Sequence, residues 1–452
     1  MKNFLKFKLM VLLGSAGVSQ AATAVIGVGA GYEHGLFFKA DGSLWAMGGN
    51  NDGQLGNGLV ISYSEWTNRP VESVSNGVVA ISAGDFHNLF IKTNGSLWVD
   101  GANFGGQLGD GTSNDTNQPE QIMASNVVAV AGGYYHSLFL ETNGHLWAMG
   151  DNFDGQLGDG TFQNTNQPEQ IMASNVVTIA AGSQHSLFIR TNGSLWAMGD
   201  NGEGQLGDGT FNNTNLPEQI AGSNVVAVAG GSYHTLFLET NGSLWAMGYN
   251  GEGQLGDGTF NSTNRPEEIM ASNVVAISAG DMHSLFIMTN GSLWAMGYNA
   301  DGALGDGTTN ELVNVPEKIV GSNVVAIAAG NDFSLFVKSD GSLWGMGYDG
   351  YGQLGDGFTN ATSSVPEQIY PTPQPVLTAN ALLQTNLQLE ATCKFGGTFA
   401  LLTATNPGES LKQWTPVWTN VISGRSENNF DTTLTNGVRS DFKSQFYILR
   451  SQ

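Results

Sequence analysis

Apolar and polar positions alternate in short bursts along this chain, and one stretch, residues 126–171, contains the whole pattern. "NVVAVAGG" is β-branched and small, suited to a strand crowded near an axis. "HSLFLETNG" carries Leu138-Phe139-Leu140 and ends in Asn143-Gly144, and "HLWAMG" resumes an apolar run at once. A glycine-rich segment, "GDNFDGQLGDGT", then leads to "PEQI". Asn-Gly between two strand-like runs predicts a tight hairpin, with positive φ at both central residues. Beyond the extreme N-terminus, no helical apolar period is sustained for more than about ten residues. The unit therefore predicts four short antiparallel strands.

The same unit recurs. Its tryptophans are Trp45, Trp98, Trp147, Trp196, Trp245, Trp294 and Trp344, separated by 53, 49, 49, 49, 49 and 50 residues. Four strands repeated seven times at a pitch near 50 predict an all-β fold, a seven-bladed β-propeller spanning residues 22–369. A ring removes the exposed edges that a stack of open sheets would leave. Each indole is expected to fill the wedge between adjacent blades, as a structural residue.

The consensus "GxxHSLFxxTNGSLWAMGxNxxGQLGDGT" resembles the repeat of the regulator of chromosome condensation family, and all seven copies are recognisable. The resemblance implies a seven-bladed propeller. It also implies guanine nucleotide exchange as one activity, although the even spacing leaves no room for a wedge inserted in a blade. Kelch-type propellers share the pitch and a Gly-Gly doublet, but most units here lack the doublet. Secreted bacterial inhibitors of similar fold, including a β-lactamase inhibitory type, bind their target with the propeller rim.

The ends differ in composition. Lys2, Lys6 and Lys8, an apolar core from Leu9 to Val18 and Ser19-Gln20-Ala21 form a secretory signal over residues 1–21. The expected location is therefore outside the cytoplasm: secreted, periplasmic or at the cell surface. "YPTPQP", residues 370–375, predicts a stiff linker. Residues 376–452 alternate apolar and polar and predict a small β-sandwich-like C-terminal domain. That segment resembles modules of exported bacterial repeat proteins that serve attachment or adhesion.

Charge narrows the partners. The net charge is −23, and loss of the three leader lysines takes it to −26. Such a surface repels phosphate backbones and anionic lipid, which argues against nucleic acid and membrane surfaces. No run after the leader reaches the roughly 18 apolar residues of a membrane span, so no membrane insertion is expected. The single cysteine, Cys393, excludes an internal disulfide. A monomer is expected.

Enzyme signatures are sparse. His34, His87, His136, His185, His234 and His283 share one slot, taken by Phe333 in the last unit. Several precede Ser or Thr, and three readings are available: base and nucleophile, metal ligands, or buried hydrogen-bonded histidines. Repetition around the ring and the substitution by Phe333 favour the last. His145 is expected to be an exposed turn residue. The loop aspartates Asp110, Asp159, Asp208, Asp257, Asp306 and Asp356 lack the alternate spacing of a calcium loop, and are expected to accept backbone N–H groups in their turns. No cofactor or metal is implied.

Variation between copies marks the candidate binding positions. Just before the histidine stand Tyr32-Glu33, Asp85-Phe86, Tyr134-Tyr135, Ser183-Gln184, Ser232-Tyr233, Asp281-Met282 and Asn331-Asp332. A second variable slot follows the tryptophan strand, with Asp52, Phe104, Phe153, Glu203, Glu252, Asp301 and Tyr351. The residues expected to contact a partner are Tyr32, Glu33, Asp85, Phe86, Phe104, Tyr134, Tyr135, Phe153, Tyr233, Asp281, Met282, Asp332 and Tyr351. Exposed aromatics beside acids match the composition of interface anchors. The function expected is a non-enzymatic scaffold that recognises a protein or glycan, with exchange activity or a rim-based polysaccharide lyase or hydrolase as alternatives.

Overall fold

The computed structural model describes residues 24–59, 66–310, 312–359 and 362–371, together with the C-terminal strand backbones. The expected signal at 1–21 and most of the expected linker lie outside these residues. Two compact units divide at Tyr370/Pro371.

The first unit is a ring of seven four-stranded antiparallel sheets, each in simple sequence order. Blade 1 contains β1 (Val25–Ala30), β2 (His34–Lys39), β3 (Leu44–Gly49) and β4 (Trp66–Val74). Blades 2–7 repeat this arrangement, beginning at Val78, Val127, Val176, Val225, Val274 and Val324. Among the described residues, no strand is shared across the point of closure. Val25 N–H donates to the Gly341 carbonyl at 3.1 Å, as Val176 does to Gly144 between blades 3 and 4. The glycine loop of each blade also reaches the fourth strand of the next. Gly160 N–H donates to the Asn215 carbonyl at 2.9 Å, and Gly357 to Asn68 at 2.7 Å across the seam.

The core lies between blades. Leu138, Leu140 and Leu146 of blade 3 pack with Val176, Phe188 and Met198 of blade 4. Trp196 lies against this cluster, half-buried and not enclosed, and stacks on Phe188 at 6.1 Å and 7°. Its indole Nε1 donates to Ser194 Oγ at 2.9 Å. Blade 3 has His145 in place of that serine, and Trp147 donates to Glu141 instead. His145 is half-exposed, as a turn residue should be, and lies 3.4 Å from Glu141.

The hairpin differs from the one expected. Gly144 has φ +80°, whereas Asn143 is not among the residues with positive φ. Gly144 N–H donates to the Glu141 carbonyl, and Glu141 N–H to the His145 carbonyl. That is a type I turn closed by a glycine bulge, in which only the glycine needs the left-handed region. Asn143 contributes through its side chain, whose Oδ1 accepts the His145 N–H at 3.0 Å.

Tyr370, expected at the start of the linker, belongs to the last strand of blade 7, Ser363–Tyr370. Its ring lies 5.8 Å from Phe37 and beneath Lys39. The second unit contains two three-stranded antiparallel sheets. In one, Asn386–Cys393 pairs with Val376–Leu382 and Asn428–Leu434. In the other, Gly397–Ala404 pairs with Thr415–Ile422 and Phe446–Ser451.

Candidate partner-binding face

Strand direction puts both variable slots at one end of the ring. The turn joining the first and second strands and the loop following the third lie at the same end of every antiparallel blade. The Asn-Gly hairpins and the links between blades occupy the opposite end.

On the loop face the aromatic residues of blades 1–3 form one contiguous surface. Tyr32 and Phe86 lie 5.3 Å apart, and Phe86 contacts Tyr134 at 5.5 Å and Tyr135 at 6.1 Å. Tyr134 and Tyr135 meet at 4.0 Å, and Phe104 extends the patch from Tyr135 at 6.2 Å. Phe104 is 59% exposed. Phe153 stands further out at 72% exposure.

The other expected residues divide. Tyr233 contacts Tyr249 at 6.5 Å on blade 5, and Met282 Sδ accepts from Gln254 Nε2. Glu33 is held internally, accepting from Asn51 at 3.2 Å and from the Tyr351 hydroxyl. Tyr351 and Glu33 thus tie blade 7 to blade 1.

The second slot contains two positions. Asp52 N–H bonds the side chain of Gln54, two residues on, and Gly105 and Asp154 repeat that bond with Gln107 and Gln156. Phe104 and Phe153 therefore sit one residue earlier and match Asn51, not Asp52. Varying glycine placement around the turn hid this register in the sequence.

Inside the aromatic patch opens the central channel, about 430 Å³ in all, whose mouth is lined by Tyr32, Asp85, Ser183, Ser232, Asp281 and Asn331. Burial, with Asp281 adding, pushes Asp85 up to about 7. Burial and the neighbouring Asp301 and Asp281 push Asp332 up to about 6. Tyr32 is raised by burial and by Asp281, Asp332 and Glu33. Asp281 accepts from Ser232, and Asp332 from Asn331 Nδ2 at 2.7 Å.

The repeated histidines lie below this surface and are inaccessible. Each bonds the next blade, as in His87 Nε2 to Ser137 Oγ at 2.8 Å and His234 to Ser284 at 2.9 Å. The serine following each histidine in sequence belongs to the previous boundary, so neighbours in sequence do not pair. The serine that does meet a histidine is buried and donates its proton to a loop carbonyl, as Ser137 Oγ does to Gln107 at 2.8 Å. The loop aspartates accept their own turns: Asp159 takes the Thr161 N–H at 2.8 Å and Asn152 Nδ2 at 3.1 Å. Among the described residues, no group of three His, Cys, Asp or Glu is placed to hold a metal.

Three exposed residues escaped the sequence reading. Phe162, Phe211 and Phe260 are 46–55% exposed on the outer part of the loop face. The available signal was an aromatic directly after Gly-Asp-Gly-Thr in three consecutive units.

This repeat geometry is a known one, and the RCC1-like domain matches residues 10–319, with a Regulator of chromosome condensation (RCC1) repeat at 324–353. The chain belongs to the RCC1-like domain family. Within that family, 88 residues are 38% identical to the Caenorhabditis elegans X-linked retinitis pigmentosa GTPase regulator homolog, covering 20% of this chain and 6% of the relative. Human Protein RCC2 is 36% identical over 83 residues, 18% of this chain and 16% of the relative. The matched region thus spans only a small part of these curated relatives. The structure of human WBSCR16 superposes with a TM-score of 0.62 at 25% identity, covering 70% of this chain and 86% of that one. Yeast Prp20 (RCC1), solved with Kap60, gives 0.65 at 21% identity over 82% and 90%, a likeness of fold alone.

Proposed function

We propose that this RCC1-like propeller is a non-enzymatic recognition module of an exported protein, and that it holds a partner protein on the loop face over blades 1–3. The observation that carries this is the unbroken chain of ring contacts Tyr32–Phe86–Tyr134/Tyr135–Phe104 across three blades. Clustered, partly exposed aromatics supply contact area at little entropic cost and dominate binding energy where they meet a partner. The inaccessible histidines support a role without chemistry. The N-terminal lysines followed by an apolar run support export.

The test is capture of partners from the native exported fraction by the full chain and by Tyr134→Ala/Tyr135→Ala. A protein captured by the first and lost by the second supports the reading, and capture indifferent to the substitutions removes it. Nucleotide exchange, the alternative that the family resemblance implies, is checked by following release of a fluorescent GDP from a small GTPase on addition of the purified chain.

A further inference from the structure

The propeller segment, residues 23–370, carries 34 acidic side chains and seven Lys or Arg. Their placement matters more than their number. Lys39, Lys92, Arg190 and Lys338 end their second strands on the hairpin side, and lie over Trp45, Trp98, Trp196 and Trp344 at 3.7–4.3 Å. The remaining three, Arg69, Arg265 and Lys318, are on outer fourth strands. None of the seven is in a loop lining the channel mouth.

The mouth therefore gathers carboxylates without a counter-charge from the described part of the chain. Asp85 and Asp281 line the channel and repel each other across it, and Asp332 stands beside Asp281. The aromatic patch borders them through Tyr32, a lining residue whose ring contacts Phe86. Carboxylates held together in a concave, partly dry site favour an incoming cation, and adjacent ring faces add to that attraction. A compact side-chain cation on an apolar stem satisfies both features, since the stem packs on the rings while the head enters the mouth.

We infer that the partner protein presents a lysine- or arginine-bearing segment, which lies across the aromatic patch and inserts a cationic side chain into the channel mouth between Asp85 and Asp281, beside Asp332. This rests on the binding face proposed above and specifies the partner's chemistry.

The experiment uses the full chain to select from a phage-displayed library of random 12-residue peptides, and then measures the affinity of the enriched peptides at low and high salt. The expected result is enrichment of Lys or Arg flanked by apolar residues. Binding should weaken at least about tenfold in Asp85→Asn/Asp281→Asn/Asp332→Asn, and should fall as salt rises. The variant relieves repulsion, so its melting temperature should be no lower than that of the parent, which excludes misfolding as the cause. Peptides without basic residues, no selectable peptide, or binding unchanged by the triple substitution would overturn the inference. Binding that survives the triple substitution but is lost in Phe86→Ala/Tyr135→Ala retires the cationic insertion and leaves the aromatic face standing. Binding indifferent to both sets retires the face as well.

Discussion

His136 reaches across a blade boundary: its Nε2 lies 2.9 Å from Ser186 Oγ, which donates to the Gln156 carbonyl at 2.7 Å. Six of the seven boundaries carry such a link, with Asn88 or Thr235 in place of serine in two of them. The seventh is the seam between blades 7 and 1. There Phe333 occupies the histidine slot, fully buried, and Gly35 occupies the slot of its partner. A Cβ on Gly35 would lie 2.9 Å from Met47 Cε and 3.0 Å from Leu335 Cδ1. Both members of the pair have changed together, because a buried polar group without its partner costs free energy that an apolar pair avoids.

Importing the seam into an ordinary boundary tests this pairing. His136→Phe alone should cost about 2–4 kcal/mol of stability, from overpacking against Ser186 and loss of the bond. Adding Ser186→Gly should recover part of that cost, giving a coupling of about 0.5–3 kcal/mol in a double-mutant cycle by chemical denaturation. Strict additivity would show that the two slots are independent.

Stability should fall in mild acid. Burial holds His87, His136 and His234 at about 3, and His34, His185 and His283 at about 4. Unfolded histidine titrates near 6.5, so between roughly pH 6.5 and 3–4 the unfolded chain binds more protons. The stabilisation is complete above that window and is lost as pH drops through it. Asp85 and Asp100, raised to about 7, act in the opposite sense, because folded carboxyls bind more protons from about pH 4 to 7. Melting temperature measured from pH 8 to 4 should decline, and should decline more steeply in Asp85→Asn/Asp100→Asn.

Asp100 is a local cost. It stands where other blades have methionine, as at Met149 and Met198, and its Oδ2 is buried without a partner. Its Oδ1 accepts from Asn88 Nδ2 at 2.5 Å, and Asn88 in turn bonds His34 at 2.7 Å. Asp100→Met together with Asn88→Ser restores the pattern of the other blades and should raise stability by about 1–4 kcal/mol. Thermal melts at pH 8, where the carboxylate is charged in the parent, should show the largest gain.

The glycine loops should tolerate no side chain at the crossing between blades. A Cβ on Gly155, at φ +85°, would lie 2.6 Å from the Asn215 Cα. Gly155→Ala should cost about 2–3 kcal/mol or more, since backbone cannot move aside as a side chain can. Gly321 has nothing within 4 Å of its Cβ position, and Gly321→Ala is the neutral control.

Much of this was legible because repetition supplied its own control. Blade number, strand order and the tryptophan's place at the blade boundary follow from a period of 49–53 residues and alternating apolar runs. The turn type did not follow, because Asn-Gly serves two hairpin geometries and the hydrogen bond from Glu141 to His145 selects between them. Nor did the slot of Phe104, since glycine spacing concealed its alignment with Asn51.

What the sequence determined by itself is local and periodic: seven copies of one four-stranded unit, with a histidine, a tryptophan and a glycine loop in each. Which side chains meet was decided only by packing blade on blade and closing the ring. Packing each blade on the next sets six histidines against a Ser, Thr or Asn some fifty residues away, and closure turns Glu33 inward to Tyr351 and brings Asp85 opposite Asp281. The first join residues one repeat apart. The last two join residues whose separation in the chain carries no local signal, so only the curvature that returns blade 7 to blade 1 could create those two.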